Sequence, residues 1–131
     1  MSRASVAAGG ETTGSIGPGM LVLLGVGEGD TAGAAERLAG KLGRLRIFED
    51  EQGRMNEPIG EREVLCVSQF TLYGDMQKGN RPSYGAAAAP EQAEPLYELV
   101  CELLGAQRGV FGAKMSIELV NDGPVTLLVE S

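Results

Sequence analysis

The chain contains no histidine and no tryptophan. Without histidine it lacks the commonest general base and the commonest metal-ligating side chain. A Ser-His-Asp triad is excluded. Any hydrolytic site must rest on hydroxyls, amides, backbone groups, carboxylates or the substrate itself. There are only two cysteines, Cys66 and Cys101. They form no C-x-x-C pair, so neither a structural zinc site nor a disulfide framework is expected. Cys66 falls in an apolar strand pattern and Cys101 in a helical one, and each reads as a small buried thiol. No metal and no cofactor are expected.

Aromatic residues are limited to three Phe and three Tyr, so the core must be built from Leu, Val, Ile, Met and Ala. Long apolar runs are also missing. The longest, Met20 to Val26, is far too short to span a bilayer and contains Gly25. The first twenty residues are rich in Gly and Ser without an apolar segment, so no signal peptide is read. A reduced, cytoplasmic setting is expected. Positive charge is scarce, with 11 Lys and Arg against 18 Asp and Glu and a net charge of −7. That balance argues against broad non-specific binding to nucleic acid. It leaves room for a small basic patch on one end of an RNA, with Arg44, Arg46, Lys78 and Arg81 as candidates. Solvated surface charge is the simpler account of each one singly.

What is present fits one domain over residues 1–131, long enough to bury a core. Twenty glycines fall mostly at likely turn positions and suit many short elements. Arg3 to Val6 and Glu11 to Ile16 read as strands around a Gly9-Gly10 turn. Met20 to Val26 reads as a buried strand. Asp30 is placed to cap a helix from Thr31 to about Leu42, with Gly43 as its stop. Leu45 to Phe48 and Val64 to Leu72 read as strands, and Gly74 to Ala89 as a long loop. Pro90 opens a second helix carrying Leu96, Leu99, Val100, Leu103 and Leu104, with Pro95 awkward inside it. Met115 to Val120 and Val125 to Glu130 read as closing strands around Gly123-Pro124. The fold class expected is α+β: a largely antiparallel, barrel-like sheet with two main helices.

Two short motifs carry candidate chemistry. In Ser68-Gln69-Phe70-Thr71-Leu72, strand alternation puts Gln69 and Thr71 on one face. An amide and a hydroxyl there, with nearby backbone N–H groups, can hold an acyl group or its oxyanion. Polar residues facing water on a half-buried strand explain the same pattern more simply. In Asn121-Asp122-Gly123-Pro124-Val125-Thr126, an ordinary hairpin turn explains the Gly-Pro pair. A cis bond, the minority form even before proline, would instead point two carbonyls the same way. Lys78-Gly79-Asn80-Arg81-Pro82-Ser83 is a basic segment able to contact phosphate, or simply a solvated loop. The acids Asp30, Glu49, Asp50, Asp75 and Glu118 show no paired-carboxylate spacing.

Taken in order, several blocks make the chain resemble the D-aminoacyl-tRNA deacylase family. They are Ser2 to Val6, Gly14 to Gly19 with Leu21 to Val26, Leu45 to Asp50, Ser68 to Tyr73, Arg81-Pro82-Ser83, Phe111-Gly112-Ala113 and Glu118 to Thr126. The resemblance covers nearly the whole chain. It implies hydrolysis of the ester that joins a D-amino acid, or glycine, to the terminal adenosine of tRNA. It implies a homodimer in which a Gly-cisPro motif enters the partner's pocket. Gly123 and Pro124 inherit the role of chiral filter, and Ser68, Gln69, Phe70 and Thr71 the pocket wall and oxyanion contacts. Thr71 as nucleophile and the tRNA 2′-hydroxyl as helper are both views carried by the family. The second suits a chain with no evident side-chain base for Thr71. The family's usual first strand, with its Gln-Arg-Val segment, precedes the stretch matching Ser2, where this chain has Met1. The Leu104 to Phe111 segment is also shorter than the family's. The rival expectations are a non-catalytic nucleic-acid-associated module on the same fold, and a small dimeric structural or regulatory protein.

Overall fold

The computed structural model describes residues 1–131. Strands β1 (Arg3–Ala8) and β2 (Glu11–Ile16) pair antiparallel across Gly9-Gly10, whose φ values are 59° and 81°. Two successive positive φ angles are what a tight hairpin matched to strand twist requires, and glycine supplies them without steric cost. Strand β3 (Gly19–Leu24) leads into helix α1 (Ala32–Arg44). A small hairpin, β4 (Phe48–Glu49) and β5 (Met55–Glu57), precedes β6 (Glu63–Ser68). Helix α2 (Pro90–Leu104), β7 (Gln107–Arg108) and β8 (Met115–Val120) complete the order.

The strands form two three-stranded sheets besides the small hairpin. One is antiparallel in the order β2-β1-β8, with Arg3 opposite Val120 and Ala8 opposite Met115. The other is parallel in the order β3-β6-β7, with Met20 opposite Val64 and Leu24 opposite Ser68. Parallel neighbours need long crossovers, and α1 and α2 lie in the two crossovers. The two helices pack on each other.

Strand β6 is the shared wall of the molecule. Val64 and Cys66 join Met20, Val22, Leu24, Ala35, Ala39, Leu42, Tyr97, Val100 and Cys101 on the helix side. Leu65 and Val67 join Ala4, Val6 and Ile16 on the other. Burial on both faces explains why Val64 to Val67 is continuously apolar rather than alternating. The edge of β2 lies against β7. The Thr13 hydroxyl donates to the Arg108 carbonyl at 3.2 Å, and the Ser15 N–H donates to Gln107 Oε1 at 2.8 Å. Gly19 permits the contact between β3 and the start of β6, since a Cβ there would lie 1.9 Å from the Glu63 carbonyl oxygen.

The α+β class with two main helices therefore holds, and the sheet does not close. Several local expectations are corrected. Half of the large-sheet pairing is parallel, because each helix returns the chain to the same end of the sheet. The α1 cap is Thr31, whose Oγ1 accepts from Ala34 N at 3.2 Å. The Asp30 carboxylate instead accepts from Gly27 N at 2.8 Å and tightens the preceding turn. The helix passes through Gly43 to Arg44. Only Phe48 of the expected Leu45 to Phe48 strand joins a ladder. Helix α2 runs through Pro95, whose missing N–H would have reached the exposed first turn. Residues 125–130 belong to no strand, so Gly123-Pro124 is not a hairpin turn.

Candidate functional site

Strand β6 ends where its neighbour ends. The last pair of the ladder is Leu24 with Ser68, and Gln69 N then donates to the Leu24 carbonyl at 2.8 Å. Past Leu24 the β3 chain turns away at Gly25. The Tyr73 ring occupies that space, its Cε2 lying 3.1 Å from where a Gly25 Cβ would sit. With no partner strand left, the chain winds into a short 3-10 turn, Phe70–Tyr73. Leu72 N donates to Gln69 O at 3.2 Å, and Gly74 N to Thr71 O at 3.0 Å. The expected continuous strand from Val64 to Leu72 is thus broken at Ser68, and Gln69 and Thr71 do not share a strand face. The turn still brings them together, because Gln69 Nε2 donates directly to Thr71 Oγ1.

This pairing has a chemical direction. The Thr71 oxygen accepts from an amide, which cannot take the hydroxyl proton, so Gln69 is no general base. The hydroxyl hydrogen remains free to donate. Gln69 and Ser68 are partly buried, while Phe70 and Thr71 are exposed. The first N–H groups of a helical turn lack partners within it. The Gln69 amide and the Thr71 hydroxyl meet at an open end of β6. No group of three or more Cys, Asp or Glu side chains is placed to hold a metal.

Two tyrosines beside the motif, Tyr73 at the end of the Ser68 to Tyr73 block and Tyr84 in the long loop, carry no assigned role in the sequence. Tyr73 packs against Gly25 and Gly27, its hydroxyl 2.7 Å from a Cβ built at Gly27. Burial, then the Asp30 and Glu130 carboxylates, push its phenol above the ordinary value. The Gly25-x-Gly27 spacing was the available signal, since glycines at a strand end admit a ring. Tyr84 meets Phe70 edge-on, with centroids 5.0 Å apart and planes at 64°.

The second motif is joined to the first by no hydrogen bond within one chain. Gly123-Pro124 is a cis peptide, and Gly123 has φ 137°. Asn121 Nδ2 donates to Thr126 Oγ1 at 2.9 Å across it. Arg44 lies on a cavity of about 490 Å³ also lined by Met20 and Val64. That is the opposite end of β3 and β6 from Leu24 and Ser68, four residues away or roughly 13 Å. Arg46 is held by Asn56, whose backbone oxygen accepts from its Nε at 2.8 Å. Neither arginine belongs to the Gln69–Thr71 surface.

The family model described as D-Tyr-tRNA(Tyr) deacylase matches residues 1–130. The chain belongs to the D-Tyr-tRNA(Tyr) deacylase family. Among relatives of this deacylase family, the D-aminoacyl-tRNA deacylase of Symbiobacterium thermophilum is 54% identical, covering 100% of this chain and 91% of its own length. That of Opitutus terrae is 55% identical, covering 100% and 93%. A solved structure named c-Myc DNA Unwinding Element Binding Protein is similar with a TM-score of 0.92 and 42% identity, over 99% of this chain and 93% of that one. A second, described as a probable eukaryotic D-amino acid tRNA deacylase, has a TM-score of 0.73 over 90% and 88%. At 16% identity it speaks for the fold alone. No helix is long and apolar enough to cross a membrane.

Proposed function

We propose that this chain hydrolyses the ester bond of D-aminoacyl-tRNA, and of mischarged glycyl-tRNA, releasing the free amino acid and tRNA. The observation that carries the reading is the match to the deacylase family over residues 1–130, with Ser68–Leu72 standing intact at a strand end. In this reading Gln69, Thr71 and the turn's backbone N–H groups hold the ester carbonyl as negative charge develops on it. Ser68 and Phe70 line the pocket. Water attacks the ester carbonyl carbon, the bond from that carbon to the ribose 3′-oxygen breaks, and the 2′-hydroxyl of the terminal ribose relays the water's proton to the leaving oxygen in place of a protein base. Gly123 and Pro124 present their carbonyls to the α-amino group and exclude L-amino acids.

Gly123 and Pro124 would act from a second copy of the chain. Two observations support a homodimer. The two motifs make no hydrogen-bonded contact within one protomer. The strand β8 edge and the unpaired segment after it also expose Leu119, Val120, Leu127 and Leu128, the last at 79%. Apolar surface of this kind marks an interaction site. In this reading the protein works in the cytoplasm, alongside its tRNA substrate.

The test is cleavage of D-Tyr-tRNA beside L-Tyr-tRNA. The reading requires hydrolysis of the D form with the L form spared, and equal cleavage of both, or of neither, sinks it. Gly123→Ala is expected to relax or abolish the selectivity. A Cβ there lies 3.2 Å from Val125 N at a φ that L residues rarely adopt. Equilibrium sedimentation checks the dimer. A second reading, nucleic-acid binding without hydrolysis, is favoured by the solved structure named for DNA-unwinding-element binding. Retained tRNA or DNA binding in a protein that cleaves no ester would establish it.

A further inference from the structure

Residues 74–89 form a braced projection whose surface chemistry has no role in the core. The base is pinned twice. Asp75 and Ser83 exchange backbone hydrogen bonds at 2.7 and 2.9 Å. Glu28 N donates to Ala86 O at 3.0 Å, and Ala88 N to Val26 O at 2.9 Å. The projection rests directly on the Gln69–Tyr73 turn. Tyr84 Cε1 and Pro82 Cβ come within 3.2 and 3.5 Å of a Cβ built at Gly74, as does the Thr71 carbonyl at 3.0 Å. Its tip carries Lys78 and Arg81 around Gly79, which has φ 144°. Both cations are exposed, and neither makes an ion pair or a hydrogen bond. The nearest acid in the sequence, Asp75, turns one carboxylate oxygen to Gln77 N at 2.9 Å. Beside them two aromatic rings stand open, Phe70 at 56% exposure and Tyr84 at 37%. The two rings pack edge-on and both keep solvent-exposed surface.

Unpaired cations next to exposed aromatic rings, on a chain of net charge −7, match one ligand chemistry: unpaired nucleotides with phosphates at the cations and a base on a ring. We propose that the 74–89 projection grips the single-stranded 3′ end of tRNA just before its terminal adenosine, Lys78 and Arg81 holding phosphates and Tyr84 stacking a base. This rests on the deacylase reading and extends it from the ester to the strand that carries it. The projection makes the enzyme prefer tRNA over a free nucleoside ester, and it holds the strand so that the ester meets Gln69 and Thr71. Lys78, Arg81 and Tyr84 are positioning residues.

Two substrates separate the outcomes: D-Tyr-tRNA, and the minimal ester 3′-O-D-tyrosyl-adenosine. For a Lys78→Ala/Arg81→Ala double variant, kcat/KM on D-Tyr-tRNA is expected to fall about tenfold or more at low salt. Its salt slope should flatten by about 1.4, roughly 0.7 for each single-strand phosphate that is no longer neutralised. Tyr84→Ala is expected to cost about tenfold on the same substrate. Cleavage of the nucleoside ester should be unchanged in the double variant, which shows that the fold and the Gln69–Thr71 turn survive; Tyr84→Ala, which also removes the ring packed on Phe70, should lose several-fold more on tRNA than on the nucleoside ester. Unchanged kcat/KM and slope on tRNA would overturn the proposal, as would an equal loss on both substrates. If the unaltered protein cleaves neither, the deacylase reading fails instead. Filter binding of uncharged tRNA with and without its unpaired 3′ nucleotides then decides the projection: binding must weaken when they are removed, and must not weaken further in the double variant.

Discussion

Gln69 and Thr71 are joined by one hydrogen bond whose direction matters more than its existence. With an amide as its partner, Thr71 lacks the base that a hydroxyl nucleophile needs. Thr71→Val should therefore lower kcat/KM on D-Tyr-tRNA by about a hundredfold, the cost of losing one oxyanion donor. Loss of a true nucleophile costs about a thousandfold or more. Gln69→Ala removes both the amide and the orientation of Thr71, and a loss of about a hundredfold is expected from single-turnover rates. Gly19 sits at the other end of the same strand pair. A methyl group there meets the Glu63 carbonyl oxygen at 1.9 Å, backbone that cannot step aside. Gly19→Ala should destabilise by about 3 kcal/mol in urea melts, at the upper end of overpacking costs.

Strand β6 links the core to the candidate site. Leu65 is fully buried between β1 and β2, and its Ala variant should lose about 3 kcal/mol of stability through lost transfer energy and a cavity. Because Ser68 and Gln69 continue directly from this strand, the core sets where the turn begins. The hairpin of β1 and β2 was legible in the sequence, since two glycines and two short alternating runs are a local signal. Both helices were legible for the same reason. The turn at Phe70 was not. Its cause is that β3 runs out of ladder at Leu24, a fact about a segment some forty residues earlier. Asp30 and Thr31 can both cap α1; the turn at Gly27 claims the Asp30 carboxylate, which leaves Thr31 as the cap.

Across the molecule, β6 and α2 meet through three titratable groups in one core. The Tyr97 hydroxyl donates to the Cys66 carbonyl at 2.9 Å. The neighbouring Cys101, then burial, push the Cys66 thiol far above its ordinary value. The same pairing lowers Cys101 below the ordinary thiol value. Burial, with Cys101 adding to it, raises the Tyr97 phenol. The lowered Cys101 adds a little stability as pH rises toward the ordinary thiol value. The raised groups act the other way. They remain protonated in the fold while the unfolded chain ionises, so their stabilisation is complete below the unfolded values, about 8.5 for Cys and 10 for Tyr. It drains away as pH rises beyond them, by up to about 1.4 kcal/mol per pH unit and group. Denaturant midpoints should thus fall above about pH 9, and Tyr97→Phe should flatten the decline above pH 10.

Composition alone excluded histidine chemistry and a membrane-spanning helix, and local periodicity placed both helices and the first hairpin. The order of the blocks along the chain pointed to the deacylase family. Those properties live in neighbouring residues or in linear order. Tertiary structure decided that β3, β6 and β7 run parallel, that β6 is buried on both faces, and that Gln69 and Thr71 meet through a turn rather than along a strand. It also kept residues 125–130 out of any ladder, so that Gly123-Pro124 is not a hairpin turn. Each of these depends on which distant segments compete for the same hydrogen-bonding edge, and that competition is resolved only when the whole chain has packed.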